Sequence, residues 1–323
     1  MSKRVLITGI TGMDGSHLAD LLLDKGYEVF GLVRRSASPN HWRINHILDK
    51  VKLINGDLTD QSSLDNAIQE SAPDEIYNLG AQSFVKYSFE SPLSTVEIDG
   101  LAVLKLLESY KRYAPKARFY QASTSEMYGK IQETPQKETT RFYPRSPYGC
   151  AKVMAHHLCV NYREAYKLHI SCGILFNHES PRRGEEFVTR KITKGIAEFK
   201  KTGKKLSLGN LNASRDWGHS LDFMDGAWRM LQQESGGDYV LATGETHTVK
   251  EWLEETCKAA GVDFWDCYTQ NPTMERQSEV DYLKGDYSKA KKDLGWEPKV
   301  RFTELVKEMY EADAALIGNP VQV

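Results

Sequence analysis

The chain has 323 residues, 40% of them hydrophobic and 27% charged, with a formal net charge of −2. This is the composition of a soluble globular protein of about two domains, and its near-neutral charge speaks against general nucleic-acid binding. No apolar run approaches a membrane span, and the opening "MSKRVLITG" enters a strand at once, which leaves no room for a signal peptide. The five cysteines are scattered and form no C-x-x-C pair, so reduced cytoplasmic thiols and no metal site are expected.

A first strand is expected at "RVLITG" (4–9) and a helix at "SHLADLLLDKG" (16–26), with Leu18, Leu21 and Leu22 on its apolar face and Gly26 closing it. Between them Gly9, Gly12 and Gly15 give a G-x-x-G-x-x-G loop. Glycine lets backbone N–H groups approach a pyrophosphate, and the helix N-terminus adds partial positive charge. Gly9, Thr11, Gly12, Met13, Asp14 and Gly15 are therefore candidate cofactor contacts. After a second strand, "YEVFGLV" (27–33), an NAD site usually carries an acid for the ribose 2′-hydroxyl. This chain has Arg34, Arg35 and Ser36, which suit a 2′-phosphate, so NADP is the expected cofactor. The third strand, "VKLING" (51–56), leads to Asp57 and Leu58, placed to meet the adenine. The fourth, "EIYNLGA" (75–81), leads into "NLGAQSFV", where Leu79, Gly80, Ala81 and Gln82 would run beside the pyrophosphate and ribose.

A helical stretch at about 93–112 precedes the fifth strand, "RFYQAST" (118–124), at whose carboxyl end stand Thr124, Ser125 and Glu126. Next comes "RSPYGCAKV" (145–153). Ser146 fits an N-cap and Pro147 a first helical turn, which places Tyr148 and Lys152 one turn apart on one face. A cation beside a phenol favours phenolate, so Lys152 is expected to draw Tyr148 down from its ordinary pKa of about 10. Cys150, between them, is expected only to pack. With the sixth strand, "ISCGILF" (170–176), the alternation implies an α/β fold: a Rossmann-type, doubly wound parallel sheet over residues 1–177. Residues 178–323 break into polar loops, short strands and helices and are expected to form a smaller, mixed α/β substrate domain. Segments from about 215–250, notably "YVLATGETHTVKEWLEE" (239–255), are expected to return to the first sheet. The runs "KKTGKK" and "KAKKDLGW" are expected to be solvated surface.

Thr124, Ser125 and Glu126, with Tyr148 and Lys152, make a short-chain dehydrogenase constellation. The hydroxyl of Thr124 or Ser125 holds a substrate hydroxyl, Tyr148 removes its proton, and Lys152 lowers the Tyr148 pKa and grips the nicotinamide ribose. Glu126 adds a second base. A simple dehydrogenase, reductase or epimerase needs none there, whereas a sugar 4,6-dehydratase does: once C4 is a ketone, the C5 proton is acidic and water can leave from C6. A reductase of the 4-keto product or a nucleotide-sugar epimerase is the alternative enzyme, and a non-catalytic NADP-sensing regulator the alternative of another class.

From about residue 3 to 315 the sequence resembles the GDP-mannose 4,6-dehydratase family of the extended short-chain dehydrogenases. The resemblance rests on "GITGMDGSHLADLLL", "GLVRRS", "NLGAQSFV", "FYQASTSEMYG", "FYPRSPYGCAK", "GILFNHESPRRGEEFVTRKI", "LGNLNASRDWGH" and "SEVDYLKGD". It implies conversion of GDP-mannose to GDP-4-keto-6-deoxymannose, with Thr124, Glu126, Tyr148 and Lys152 as the catalytic group. It also implies His178 and Arg183 on the cofactor side, and substrate contacts from Ser83, Ser125, Asn177, Lys191, Arg215, Arg276 and Glu279. The family usually has Pro after the arginine that Arg276 matches, and this chain has Gln277. A homodimer or homotetramer, paired through helices at about 93–112 and 147–166, is the implied assembly.

Overall fold

The computed structural model describes residues 2–271, 280 and 282–318. In chain order the first half comprises β1 (Arg4–Thr8), α1 (Met13–Asp24), β2 (Glu28–Val33), β3 (Val51–Asn55), α2 (Gln61–Ser71), β4 (Glu75–Asn78), α3 (Val85–Glu90), α4 (Pro92–Val96), α5 (Ala102–Tyr113), β5 (Arg118–Thr124), α6 (Pro147–Tyr166) and β6 (Ile170–Leu175). The second half comprises β7 (Asn177–Glu179), α7 (Val188–Thr202), β8 (Leu206–Leu208), β9 (Ser214–Arg215), β10 (Trp217–His219), α8 (Ser220–Leu231), β11 (Asp238–Leu241), β12 (His247–Thr248), α9 (Val249–Ala260), β13 (Tyr268–Gln270), α10 (Ser288–Leu294) and α11 (Phe302–Gly318).

Seven strands form one parallel sheet in the order β3-β2-β1-β4-β5-β6-β11. Its strands are buried on both faces, because side chains alternate and helices cover each side. In β1, Val5 and Ile7 join the core shared with α1 and α8, while Leu6 joins the one under α2, α5 and α6. Each apolar side chain so removed from water contributes about 2 kcal/mol. The third core, with Trp217, Trp252 and Phe302 at its centre, ties α7, α9 and α11 together in the second half. Tyr239–Leu241 does return to the sheet, as the edge strand beside β6.

Two features depart from the sequence reading. The helix expected at 93–112 is broken: α4 passes through a wide π-turn, Glu97–Leu101, before α5 begins. The second half is also tied together by a buried carboxylate that the sequence did not single out. Asp216 accepts hydrogen bonds from the N–H groups of Thr243, Gly244 and Gly285 and from the Thr243 hydroxyl, at 2.7–3.1 Å. No described helix is long and apolar enough to cross a membrane.

Candidate active site

The strand order reverses between β1 and β4, and a cleft of about 710 Å³ opens at the carboxyl ends of the strands there. Its floor is the glycine loop. Gly9, Thr11, Gly12, Met13, Asp14 and Gly15 line it, as do Arg34, Asp57, Leu58, Leu79, Gly80, Ala81, Gln82 and Ser83. Gly9 has φ +72°, and a Cβ there would lie 2.7 Å from Gly80 N, so only glycine lets the first and fourth strand loops meet. A Cβ on Gly12 would touch only the Gly9 carbonyl and otherwise project into open space, so the loop's bare surface fits a diphosphate. Arg34 reaches the cleft wall at the end of β2. Arg35 and Ser36 do not; they are exposed, and Ser36 Oγ bonds within its own turn, to the backbone of Ser38.

The catalytic candidates line the same cleft. Ser146 caps α6, its hydroxyl accepting from Gly149 N at 3.0 Å. A Cβ on Gly149 would approach Glu126 O to 2.9 Å, so glycine seats the first turn of α6 against the end of β5. Thr124, Ser125, Glu126, Tyr148 and Lys152 are thereby gathered on the cleft wall, together with Ser123. Thr124 is bonded to the Tyr148 hydroxyl and also accepts from Glu126 N at 3.2 Å. Lys152, buried, donates to Ala122 O at 3.1 Å, its ammonium 5.7 Å from the Tyr148 ring centroid. Burial pushes the Tyr148 phenol well above its ordinary range, and the carboxylates of Asp99 and Glu126 push the same way. The largest downward pulls come from Thr124 and Arg183, not, as the sequence led us to expect, from Lys152, whose ammonium is turned to a backbone carbonyl. Burial also lowers Lys152, opposed first by Asp99.

From the second half, Asn177, His178 and Arg183 line the cleft. Asn177 Oδ1 is buried with no hydrogen-bond partner among the described residues, so it is free to meet a ligand. His178 bridges Phe176 O (2.7 Å) and Asp14 Oδ2 (2.8 Å), and Asp14 also accepts from Ser220 Oγ at 2.6 Å. Burial opposes the charge on Asp14, but His178 and Ser220 outweigh it and hold the carboxyl down at about 2. Arg183 lies 3.0 Å from Glu179 and stacks 3.4 Å from the Phe187 ring centroid. Lys191 and Arg215 stand off the cleft wall. Arg215 donates to the backbone carbonyls of Val280 and Ser214. Arg276 and Glu279 lie outside the described residues.

The profile of the family described as GDP-mannose 4,6 dehydratase matches residues 6–309. The chain belongs to the GDP-mannose 4,6-dehydratase family. It is 50% identical to the GDP-mannose 4,6 dehydratase of Cricetulus griseus, over 98% of this chain and 93% of that protein. It is 47% identical to the GDP-mannose 4,6-dehydratase of Vibrio cholerae, over 97% and 94%. Among solved structures, a UDP-glucose 4-epimerase from Thermotoga maritima, with UDP-glucose, superposes with a TM-score of 0.88 at 25% identity, covering 97% of this chain and 99% of that one. A dTDP-glucose 4,6-dehydratase from Streptomyces venezuelae shares the fold, with a TM-score of 0.88 at 22% identity over 98% and 97% of the chains. As a GDP-mannose 4,6-dehydratase the enzyme is a hydro-lyase: it takes GDP-mannose to GDP-4-keto-6-deoxymannose and water.

Several residues of this dehydratase site escaped the sequence reading. Phe84 and Phe187 meet edge to face at 5.7 Å and, with Glu186, line the cleft. Asp99, in the π-turn, is 1% exposed. One of its oxygens accepts from Gln82 N at 2.8 Å, and the other is buried without a hydrogen-bond partner among the described residues. Burial pushes its carboxyl up to about 6, with Lys152 as the main counterweight. An acid inside the apolar run "EIDGLAVLKLL" was the available signal, since a buried carboxylate needs a partner.

Proposed function

We propose that the dehydration runs as an oxidation that the enzyme itself reverses, with NADP as the carrier. When bound, the nicotinamide would supply a hydride acceptor for C4 and a hydride donor for C6. Tyr148 takes the C4 hydroxyl proton, Thr124 holds that hydroxyl, and Lys152 holds the nicotinamide ribose. Glu126 takes the C5 proton, made acidic by the C4 ketone, and hands it to the departing C6 hydroxyl, which leaves as water. Tyr148 then returns its proton to C5, so every residue ends as it began. The observation that carries this reading is that Thr124, Glu126, Tyr148 and Lys152 line the same cleft as the glycine loop. Incubating the protein with GDP-mannose and NADP should remove one water from the sugar, seen by mass spectrometry, with no net NADPH. Consumption of NADPH on a 4-keto sugar, without water loss, would make the enzyme a reductase.

Three finer points belong to the same proposal. Residues 1–177, with the returning segments of about 215–250, bind NADP, and residues 178–323 mainly bind the GDP-sugar, with Lys191, Arg215, Arg276 and Glu279 as further contacts. NADP is favoured over NAD because β2 is followed by Arg34 and Arg35 and not by an acid. Charge-assisted bonds contribute about 1.5–3 kcal/mol each, and Arg34 is the one of the pair on the cleft wall, so Arg34→Ala should weaken NADPH about 10- to 100-fold and leave NADH within about twofold. A fluorescence titration with both nucleotides measures this. The enzyme works in the cytoplasm as a dimer or tetramer. Leu93 is 85% exposed, and Val96 and Met154 are exposed on the same group of helices. Sedimentation should show no monomer at micromolar concentration.

A further inference from the structure

The stripe on α6 does not end at Lys152. Tyr148, Lys152 and His156 follow at intervals of four on one face of the helix. Each meets one of the last three residues of β5. Tyr148 meets Thr124, Lys152 meets Ala122 O, and His156 Nδ1 lies 3.0 Å from Ser123 Oγ. The third rung is buried: His156 is 4% exposed and Ser123 3%. Ser123 nevertheless stands on the cleft wall. Behind it, His156 is bonded to Cys172 and packs edge to face on Phe142 at 5.3 Å. Asp238 lies close by, but Arg163 takes both of its oxygens at 2.9 Å, so the group supports the imidazole and does not offer a cation site.

We propose that His156 is a positioning residue for the dehydration: it holds Ser123, and through it the end of β5, in register with Lys152 and Tyr148. The inference rests on the catalytic roles proposed above for that pair. With Nε2–H directed to Cys172, Nδ1 accepts the Ser123 hydroxyl proton. The Ser123 oxygen then presents only lone pairs to the cleft, as an acceptor for an N–H or O–H of what binds there. A strand end displaced by a fraction of an ångström would misplace the two groups that start the reaction.

The test is a double-mutant cycle. Ser123→Ala and His156→Phe should each lower kcat about tenfold, with KM for GDP-mannose within about threefold. The double variant should fall no further than either single one, because both remove the same contact. His156→Asn, whose amide still reaches Ser123, should recover most of the rate. NADPH affinity, titrated in parallel, should change by one common factor in both single variants and the double, and this readout stands even if the wild-type enzyme releases no water. A wild type without water loss would overturn the proposed reaction. Wild-type kcat in Ser123→Ala, or losses that multiply in the double variant, would overturn the role of His156 alone. If His156→Phe fails to fold, the contrast between Ser123→Ala and His156→Asn decides: equal, full activity in both removes the proposal.

Discussion

Glu126→Gln should cut the release of water from GDP-mannose by about a thousandfold, the range over which positioned proton transfer acts, while NADPH affinity stays within about twofold. The side chain is 8% exposed on the cleft wall, and its backbone N–H is held by Thr124. Gln fills the same space and preserves that hydrogen bond but cannot take a proton. The informative part is what remains. Tyr148 and Lys152 can still start the oxidation at C4, so reduced nicotinamide should accumulate to at most one equivalent per site. Its near-ultraviolet absorbance is the readout, beside the sugar's mass. Full turnover in this variant would remove Glu126 from the mechanism.

Tyr148→Phe should fail one step earlier. The ring keeps its packing, so stability should change by about 1 kcal/mol, the worth of one hydrogen bond. Turnover should fall by about 10²- to 10⁴-fold, and no reduced nicotinamide should appear, in contrast to Glu126→Gln. The wild-type pH profile carries the same assignment. Tyr148 acts as a base only when ionised, and burial with two neighbouring carboxylates pushes its phenol up, so activity should be lost as pH falls. Lys152 helps only when protonated, and burial pulls it down, so activity should also be lost as pH rises. A narrow bell is expected in kcat against pH. A flat profile through both limbs would contradict the pairing.

The parts of this site that could be read in advance are those fixed by neighbours in the chain. Ser146 and Pro147 begin α6 where capping chemistry requires, and β5 spans 118–124 as its apolar run suggests. The glycine loop follows from its spacing alone. What could not be read depends on partners far away in sequence. Asp99 gains its meaning from Gln82, 17 residues off, and from Lys152. Lys152 turns to a carbonyl 30 residues away, a contact that no i, i+4 argument contains. The basic turn after β2 divides because Arg34 is the last residue to reach the wall, while Arg35 and Ser36 sit beyond it in a self-bonded turn. Arg215, which the resemblance sets among the substrate contacts, bonds to backbone carbonyls at 214 and 280, the second of them 65 residues away.

The π-turn at Glu97–Leu101 makes the helix that carries it intolerant of shortening. Such a turn holds one residue more than an α-turn. Deleting one residue there would restore a regular helix with the turns on either side still in register, and what would be lost is the bulge that carries Asp99. The loop that Asp99 ties down at Gln82 would lose its anchor in the same stroke. An alignment that closes a gap at this point therefore trades a tidy helix for a carboxylate aimed away from the lysine it faces.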